Sequence, residues 1–511
     1  MTKTLRLILG DQLNSKHSWF AKNDLEVYYV LMEVMQEQQY VMHHVQKILA
    51  FFAAMRNFAH QLTKAGHRVI YIKLDDTDNL QNFDTNLQQL ISRHKINRFE
   101  YQLPDEYRLD EQLKAFCQTL SIDSGVADTE HFLTTRYEVR DFFGDRKSYL
   151  METFYRNMRT RLGILMQGKD PLGNKWNFDH DNRKKYDYKV PLQEPIRFDH
   201  NVLALKAMID KMGVKYFGKV DAEEFGWPLS RTEALQSLSY FCENLLPHFG
   251  TYEDAMLNEH ISLFHSRLSF AQNVKMISPV EITTAVLAQW DKNKEAITLA
   301  QVEGFVRQVI GWREFMRGVY WAKMPAYETL NFFNHQSKLP KWFWDGNTKM
   351  NCLGKCIGQS LDSAWAHHIQ RLMVIGNFAL LSGSNPDEVD QWYLGVYIDA
   401  LQWVEITNTR GMSQFADGGI IASKPYVSSA AYINKMSDYC KNCHYDYKKK
   451  YGDRACPFNS LYWNFFDRNA EALERNPRIG MMYKIMRKFP AEELRKINEQ
   501  AEVYLGMVDD L

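Results

Sequence analysis

Three of the seven cysteines lie within one short stretch, in the order Cys440-x2-Cys443-x12-Cys456, and a proline follows the last of them. A CxxC pair can place two thiolates on one metal ion or cluster, because a tight turn brings both sulfurs to the same side. Cys352 and Cys356 are the nearby candidates for a fourth ligand. The spacing slightly favours tetrahedral zinc. A four-iron cluster is the alternative, because a Cys-Pro ending occurs in cluster-binding proteins.

A second stretch, from Ser360 to Gly383, combines histidines with aromatic and apolar residues. Its apolar residues repeat at helical spacing, which predicts one helix with His368 on the inward-facing stripe. His367 and Arg371 lie beside that stripe, four residues apart and able to interact. A buried histidine is usually a satisfied core residue, so a reactive role requires a second unusual feature nearby.

Two carboxylates further along the chain supply that feature. Asp399 and Glu405 are embedded among tyrosine, tryptophan and branched apolar residues. A buried carboxylate costs free energy unless it has a partner. The polar edge of a cofactor would serve, although an ion pair with an arginine such as Arg371 or Arg410 is the commoner arrangement.

The elements that position these residues begin with an alternating pattern in residues 1–132. The runs LRLILG, LEVYYVLME, HRVIYIKL and RFEYQLP predict strands, and residues 40–66 predict a long helix. Strands that alternate with helices predict a parallel sheet. Ligands bind such sheets at the carboxyl ends of the strands, where Asp11, Glu33 and Glu37 lie. The first strand is not followed by GxGxxG, so we do not expect an NAD site.

The pattern divides the chain into three parts. Residues 1–132 form an α/β domain, residues 133–235 are a connection rich in turn residues and charge, and residues 236–511 are helical. Within the third part, LAQVEGFVRQVIGWREFMRGVYW predicts a core helix.

The composition limits the possible partners and compartment. The formal net charge is zero, so affinity for nucleic acid must come from local patches such as RKKYDYK at 183–189 or the lysine run at 448–450. There is no signal-peptide pattern and no run of about 18 apolar residues, so we expect a cytoplasmic protein without a membrane span. In a reducing compartment, clustered thiols are more often ligands than disulfides. Cys117 and Cys242 stand alone in apolar helical patterns and are expected in the core.

Four motifs in order resemble the photolyase and cryptochrome family. They are HSRLSF followed by NVKMISP, then IGWREFMRG, then AHHIQRLMVIGNFAL. With the cysteine pattern, the whole chain resembles the iron–sulfur bacterial cryptochromes and photolyases, also called prokaryotic (6-4) photolyases. The resemblance implies the photolyase/cryptochrome fold: a Rossmann-like α/β antenna domain, then a large all-α FAD-binding domain with a carboxyl-terminal iron–sulfur segment.

The resemblance reverses the preference for zinc. It implies a four-iron, four-sulfur cluster bound by Cys352, Cys440, Cys443 and Cys456. Cys356, one helical turn from Cys352, is then not a ligand. The lysines of the cysteine segment would face DNA phosphates.

The resemblance also implies how the chain would hold FAD and an antenna chromophore. Residues implied at the FAD, with Glu405 near flavin N5, are His265, Ser266, Arg267, Leu268, Ser269, Arg371, Asp399 and Glu405. Residues implied to carry electrons that photoreduce the flavin are Trp392, Trp344 and Tyr393. Residues implied at the antenna, 6,7-dimethyl-8-ribityllumazine, are Asp11, Glu37 and Tyr40.

The implied activity is light-driven repair of the pyrimidine (6-4) pyrimidone lesion in UV-damaged DNA. His368 is the expected general acid, His367 is the competing candidate, and Tyr426 is expected to help hold the lesion. Repair by this fold does not require a dimer, and we expect a monomer. A blue-light photoreceptor of the same fold is one alternative. A metal-stapled DNA-binding protein without catalysis is another.

Overall fold

The amino-terminal part of the molecule is built around a parallel β-sheet. The structure is a computed structural model that describes residues 2–511. Its strands are β1 (Thr4–Leu7), β2 (Val27–Met32), β3 (His43–His44), β4 (Arg68–Ile72), β5 (Arg98–Gln102), β6 (Asp123–Ala127), β7 (Met166–Gln167), β8 (Asp170–Pro171) and β9 (Tyr216–Phe217).

Five of these strands form one sheet in the order β4-β2-β1-β5-β6, and every pair in it is parallel. The connections leave β1 in both directions, which makes the crevice between β1 and β5 a topological switch point where ligands bind. The four predicted strands are confirmed as β1, β2, β4 and β5. The edge strand β6 (DSGVA) was not predicted, because it is largely solvent-facing and has no apolar run.

Helices connect the strands and continue into the region between the two main domains. These helices are α1 (Gln36–Gln39), α2 (Val45–Lys64), α3 (Phe83–His94), α4 (Tyr107–Thr119), α5 (Glu138–Phe143), α6 (Met151–Leu162) and α7 (Leu203–Lys211). The predicted long helix is α2, which is buried along most of its length. Three of these helices fall within residues 133–235, whose boundaries as a connection stay a prediction.

The remainder of the chain is helical, as expected. Residues 231–511 contain no strand, and their α-helices are α8 (Arg231–Tyr240), α9 (Leu246–Tyr252), α10 (Ser269–Asn273), α11 (Pro279–Lys292), α12 (Leu299–Val306), α13 (Glu314–Lys323), α14 (Asn351–Ser363), α15 (Asn377–Ser382), α16 (Pro386–Val396), α17 (Gln402–Ile406), α18 (Ala430–Met436), α19 (Pro457–Arg468), α20 (Ala470–Leu473), α21 (Gly480–Met486) and α22 (Ala491–Gly506). Short π-helical segments occupy Phe241–Leu245, Arg307–Arg313, Gln370–Gly376 and Thr407–Ser413.

The predicted helix from Ser360 to Gly383 is wrong as one element. Helix α14 ends at Ser363, because Ala364 takes the left-handed conformation with φ 54°. The chain is extended through His367 and then re-enters helix, with a π-helical segment at Gln370–Gly376. The helical phase is therefore lost at the break, so the stripe that placed His368 inward does not exist.

Apolar packing joins the two main domains. The largest buried cluster includes Ile48 and Phe52 of α2 together with Trp403 and Phe270 of the helical domain. A second cluster surrounds the cysteines, and a third lies under the sheet. None of the helices in residues 2–511 combines the length and the apolar character needed to cross a lipid bilayer.

Candidate functional site

A buried ion pair forms the centre of the site in the helical domain. Arg371 Nη1 and Nη2 donate to Asp399 Oδ1 and Oδ2 at 3.0 and 3.2 Å. Ser269 Oγ donates to Asp399 Oδ2 at 2.6 Å, and the Arg371 guanidinium lies 3.7 Å from the ring centre of Tyr397. The structure thus brings together three predicted residues from segments far apart in sequence.

Glu405 lies close to this ion pair without joining it. Its carboxylate accepts a hydrogen bond from the Thr409 hydroxyl, one turn further along the chain. Burial raises the pKa of Glu405 to about 7, against the opposing effects of Thr409 and Arg371. Arg410 is not its partner, because that guanidinium pairs with Asp390 and Asp387 instead. Glu405 can therefore gain or lose a proton near neutral pH.

The segment His265–Ser269 lies beside the ion pair and leaves buried polar atoms without partners. The His265 ring stacks on His367 with centres 4.5 Å apart, and Arg267 has a left-handed backbone with its guanidinium 4.2 Å from Trp227. Ser266 Oγ accepts the Leu268 N–H at 3.4 Å. Within residues 2–511, His265 Nε2, Arg267 Nε and both nitrogens of His367 have no hydrogen-bond partner. Such unpartnered buried groups fit a polar ligand held at this segment.

His368 faces solvent, in contrast to the buried His367. The protein around the His368 ring, followed by the Arg371 and Arg183 cations, lowers its pKa to about 4. We infer an open cleft here, because the His368 side chain is accessible and yet lies within range of the Arg371 and Arg183 charges. The half-buried Tyr426 is also close to Arg183, whose charge acts on its pKa.

A cavity of about 120 Å³ lies at the switch point of the sheet. Asp11 and Glu37, which follow strand ends, line it together with Tyr40, which only the family resemblance had implied, and Trp403 of the helical domain closes one side. Glu33 was also at a strand end but does not line the cavity, since Arg56 pairs with its carboxylate at 2.7 Å.

Two buried lysines tie this cavity to both domains. Lys275 Nζ lies 3.0 Å from Asp11 Oδ2 and 2.7 Å from Asp105 Oδ2. Burial raises the pKa of Asp11, whereas Lys275 and Arg317 outweigh burial at Asp105 and hold its pKa below the ordinary value. We therefore infer that Asp105 ionises more readily than Asp11. Lys47, which lines the cavity, donates to two backbone carbonyls of the helical domain at 2.7 Å.

Two of the three predicted electron carriers lie in contact with each other close to the ion pair, and the third packs elsewhere. The buried Trp392 lies 5.3 Å from Tyr393 between ring centres, and Tyr393 donates to the Arg371 carbonyl at 2.7 Å. Trp344 is 49% exposed and packs against Phe217. Tyr397, which sequence reasoning did not select, lies 5.6 Å from Tyr393 and contacts Arg371 directly.

The four predicted thiols converge on one small cavity. Cys352 reaches it from α14. Cys440 and Cys443 reach it from the short helical turn that begins at Tyr439, and Cys456 reaches it from the start of α19. The rest of the lining is mainly apolar and aromatic. Cys356 lies outside this lining, and its thiol donates to the Tyr439 hydroxyl oxygen at 3.7 Å.

Comparison with known proteins identifies the family. The chain is 41% identical over 508 residues to a protein named (6-4) photolyase from Agrobacterium fabrum, and the match covers 99% of each chain. The chain belongs to the photolyase family. A family model described as deoxyribodipyrimidine photo-lyase-related protein also matches residues 6–225.

Further similarities agree with this photolyase assignment. A crystal structure of a bacterial class III photolyase from Agrobacterium tumefaciens superposes with a TM-score of 0.55 at 15% identity, covering 97% of this chain and 92% of that one, which supports the photolyase fold. A shorter relative, uncharacterized protein R855 of Acanthamoeba polyphaga mimivirus, is 33% identical over 107 residues, which is 21% of this chain and 80% of that protein.

Membership of the photolyase family implies an FAD cofactor, and the residues present fit it. The unpartnered Arg267 Nε is a donor available to a phosphate, and the unpartnered imidazole nitrogens of His265 and His367 can donate to or accept from a polar ligand. The Arg371–Asp399 pair and the protonatable Glu405 lie alongside them. These residues would hold FAD in this photolyase.

Sequence reasoning missed several residues of the photolyase site. Arg183 pairs with Glu253 at 3.1 Å and Asp179 at 3.3 Å, and its charge acts on His368. The basic run at 183–189 was a signal for it, although it indicated only a DNA-binding surface. Lys275 lies in the NVKMISP motif, but nothing in the sequence linked it to its partner Asp11, which is 264 residues away in the chain.

Proposed function

We propose that this photolyase reverses pyrimidine (6-4) pyrimidone photoproducts in DNA under blue light. The observation that carries the proposal is an exposed histidine, His368, in a cleft beside the cradle of buried unpartnered donors. The 41% identical relative named (6-4) photolyase supports the choice of lesion. A damaged base step is poorly stacked, so extruding it into such a cleft costs less than extruding a sound base.

Bound FAD would supply the electron chemistry, since its photoexcited reduced form can donate an electron to the lesion. His265–Ser269 would bind and orient it, together with Arg371 and Asp399. Glu405, whose pKa burial raises to about 7, would hold or release a proton for the flavin.

His368 is the proposed general acid. Reversal of the lesion returns an oxygen from one base to the other, and that transfer requires a proton donor. With a pKa of about 4 the free ring is neutral at pH 7. DNA phosphates that offset the charge of Arg183 and Arg371 would raise this pKa when the lesion binds. His367 is buried and stacked on His265, which favours a role in holding the cofactor.

The surface around His368 suits a DNA backbone. Arg183, Lys184, Lys185 and Lys189 are exposed on the connection that passes the cleft. Tyr426 lies near the same arginine and would contact the extruded lesion. Lys450 of the cysteine segment is less available, because it pairs with Glu493 at 2.9 Å.

The cavity at the sheet edge would hold the ribityllumazine antenna. Its polar groups, Asp11, Glu37 and Tyr40, can anchor a hydroxylated chain, and its aromatic and apolar walls can stack a flat ring. Its position between the sheet and Trp403 would place the antenna next to the FAD-binding domain.

The thiol cavity would hold a four-iron, four-sulfur cluster. Its donor set of four cysteine thiols is the set that such clusters require. Across residues 2–511, no three His, Cys, Asp or Glu side chains converge as one metal ion would require. The family resemblance is what favours a cluster over the single tetrahedral zinc that the cysteine spacing first favoured.

Trp392, Tyr393 and Trp344 are the proposed electron path for photoreduction. Trp392 and Tyr393 lie within aromatic contact of each other, and Trp344 is exposed to outside reductants. The monomeric state and the cytoplasmic location expected from the sequence remain predictions.

The decisive experiment is repair of a defined (6-4) oligonucleotide by purified, photoreduced protein under blue light and in the dark. We expect light-dependent recovery of intact pyrimidines, measured by chromatography, and no recovery in the dark. An oligonucleotide with a cyclobutane dimer is the control for lesion choice. Absence of repair in protein whose flavin photoreduces normally would favour the photoreceptor alternative.

A further inference from the structure

The thiol cavity is connected to the histidine segment by one tyrosine. Tyr439 precedes Cys440, lines the thiol cavity and is 1% exposed. Its hydroxyl oxygen accepts from the Cys356 thiol at 3.7 Å and from Gln370 Nε2 at 3.1 Å. A side chain in the wall of the thiol cavity therefore holds the amide of Gln370.

Gln370 in turn holds the backbone of the histidine segment. Its Oε1 accepts the N–H of His367, three residues earlier, at 3.1 Å. This is the return half of a capping box, in which a glutamine at the third helical position satisfies the backbone N–H of the capping residue. The first turn after the break therefore begins at His367, and this cap fixes where His368 points.

A second glutamine reinforces the arrangement from the other side of the break. Gln359 Nε2 donates to the Trp365 carbonyl at 3.2 Å, and Gln370 Nε2 donates to Gln359 Oε1 at 2.8 Å. The two amides span the non-helical residues between α14 and the next helix. Gln370 and Tyr439 are buried, so their hydrogen bonds do not compete with bulk water.

We infer that Tyr439 and Gln370 are positioning residues that couple the thiol cavity to the orientation of His368. The inference rests on the proposed function for its effect on repair. The coupling gives the cysteine segment a role in the active site. The segment positions Tyr439, and Tyr439 holds the Gln370 side chain that caps the helix at His367. Neither residue touches the lesion in this proposal.

The test compares Tyr439→Phe with wild type, and Tyr483→Phe is the matched control. Tyr483 is also buried in the helical domain, and its hydroxyl donates to one backbone carbonyl, of Phe466, at 3.0 Å. In Tyr439→Phe we expect repair per absorbed photon at saturating DNA to fall about tenfold, as loss of one buried hydrogen-bond partner predicts. The Kd for lesion DNA, the FAD content, the iron content and flavin photoreduction should change by less than about twofold.

Hydrogen exchange provides a readout that does not depend on repair. Peptides that cover residues 364–376 should exchange about tenfold faster in Tyr439→Phe than in Tyr483→Phe, because their cap is loosened. Gln370→Met, which leaves the cysteine segment unchanged, should reproduce both effects. Gln370→Glu keeps the acceptor for the His367 N–H and should restore part of the protection.

The inference is overturned if Tyr439→Phe and Gln370→Met match Tyr483→Phe in exchange and in repair. It is also overturned if repair, DNA affinity and photoreduction all decline together, since that pattern indicates general loss of structure. If Tyr439→Phe alone loses iron, the exchange and repair measured for Gln370→Met decide whether the coupling exists. Failure of wild type to repair would remove the proposed function, while the exchange comparison would still decide the coupling.

Discussion

His367 and His368 are adjacent in sequence but have opposite environments. The left-handed Ala364 ends one helix, and the next begins with the capped His367, so that one ring is buried against His265 and the other faces the cleft. Sequence alone favoured His368 through a helical stripe that does not exist. The structure gives His368 the accessible position for a different reason, the helix break.

The first prediction separates the two rings. His368→Ala should lower repair at least about 100-fold, because general acids contribute on that order, and should leave flavin photoreduction intact. His367→Ala should instead weaken FAD retention. His60→Ala, at an exposed position on α2, is the control and should leave both unchanged. Repair that survives in His368→Ala would exclude it as the acid.

Glu405 leads to a prediction about pH. Burial raises its pKa to about 7, so the carboxyl holds its proton below that pH and loses it above. If it supplies a proton during photoreduction, the rate should fall about tenfold between pH 6 and pH 8, following its protonated fraction. Glu405→Gln should bind FAD and show a flat profile. Flavin absorbance under blue light measures both, and an unchanged slope in the variant would contradict the role.

At the scale of elements, two π-helical segments hold Arg371 of the ion pair and the hydrogen-bond partner of Glu405. Arg371 lies in Gln370–Gly376, and Thr409, the partner of Glu405, lies in Thr407–Ser413. The segments approach closely at Gly376, where an added Cβ would overlap Ser413 Oγ and lie 2.9 Å from the Arg371 carbonyl oxygen. The glycine is therefore required for the close packing of these segments.

The third prediction follows from that contact. Gly376→Ala should destabilise the fold by about 1–3 kcal/mol through overpacking and reduce FAD content. Gly358→Ala is the matched control, because its Cβ would meet no atom within 4 Å in helix α14. It should raise stability by about 0.5–1 kcal/mol. Urea unfolding measures both variants, and equal effects would contradict the packing argument.

Elements with strong periodicity were predictable from the sequence, and interruptions were not. The strands β1, β2, β4 and β5 and helix α2 follow apolar patterns that local physics decides. The break at Ala364 depends on side chains such as Gln359 and Gln370, whose partners are set by tertiary packing. The π-helical segments likewise have no signature in the periodicity, because their extra residue is accommodated by neighbouring helices.

At the scale of the whole molecule, charge pairing as well as apolar packing joins the sheet domain to the helical domain. Lys275 of the helical domain lies between Asp11 and Asp105 of the sheet domain, and Lys47 of α2 donates to carbonyls of the helical domain. The family resemblance predicted two domains with an antenna pocket. It could not predict these links, since no pattern in one sequence identifies partners so far apart.

The Lys275 pair leads to the last prediction. Lys275→Met leaves two buried carboxylates without their shared cation and should cost about 3–5 kcal/mol of unfolding free energy at pH 7. Adding Asp105→Asn should recover part of that loss, because one unpaired charge is removed. Lys294→Met, at an exposed pair with Asp291, is the control and should cost under about 1 kcal/mol.

The pH dependence of that loss follows from the shift at Asp105. Burial alone would raise the pKa of Asp105, but Lys275 and Arg317 hold it below 3.8 in the native protein, so the pair stabilises at neutral pH and is lost as pH falls through the native pKa. Without Lys275 the carboxyl would take up a proton at higher pH. The difference in unfolding free energy between wild type and Lys275→Met should therefore narrow as pH falls from 7 towards 4. A gap that stays constant in urea unfolding would mean that lost packing, and not charge pairing, accounts for the cost.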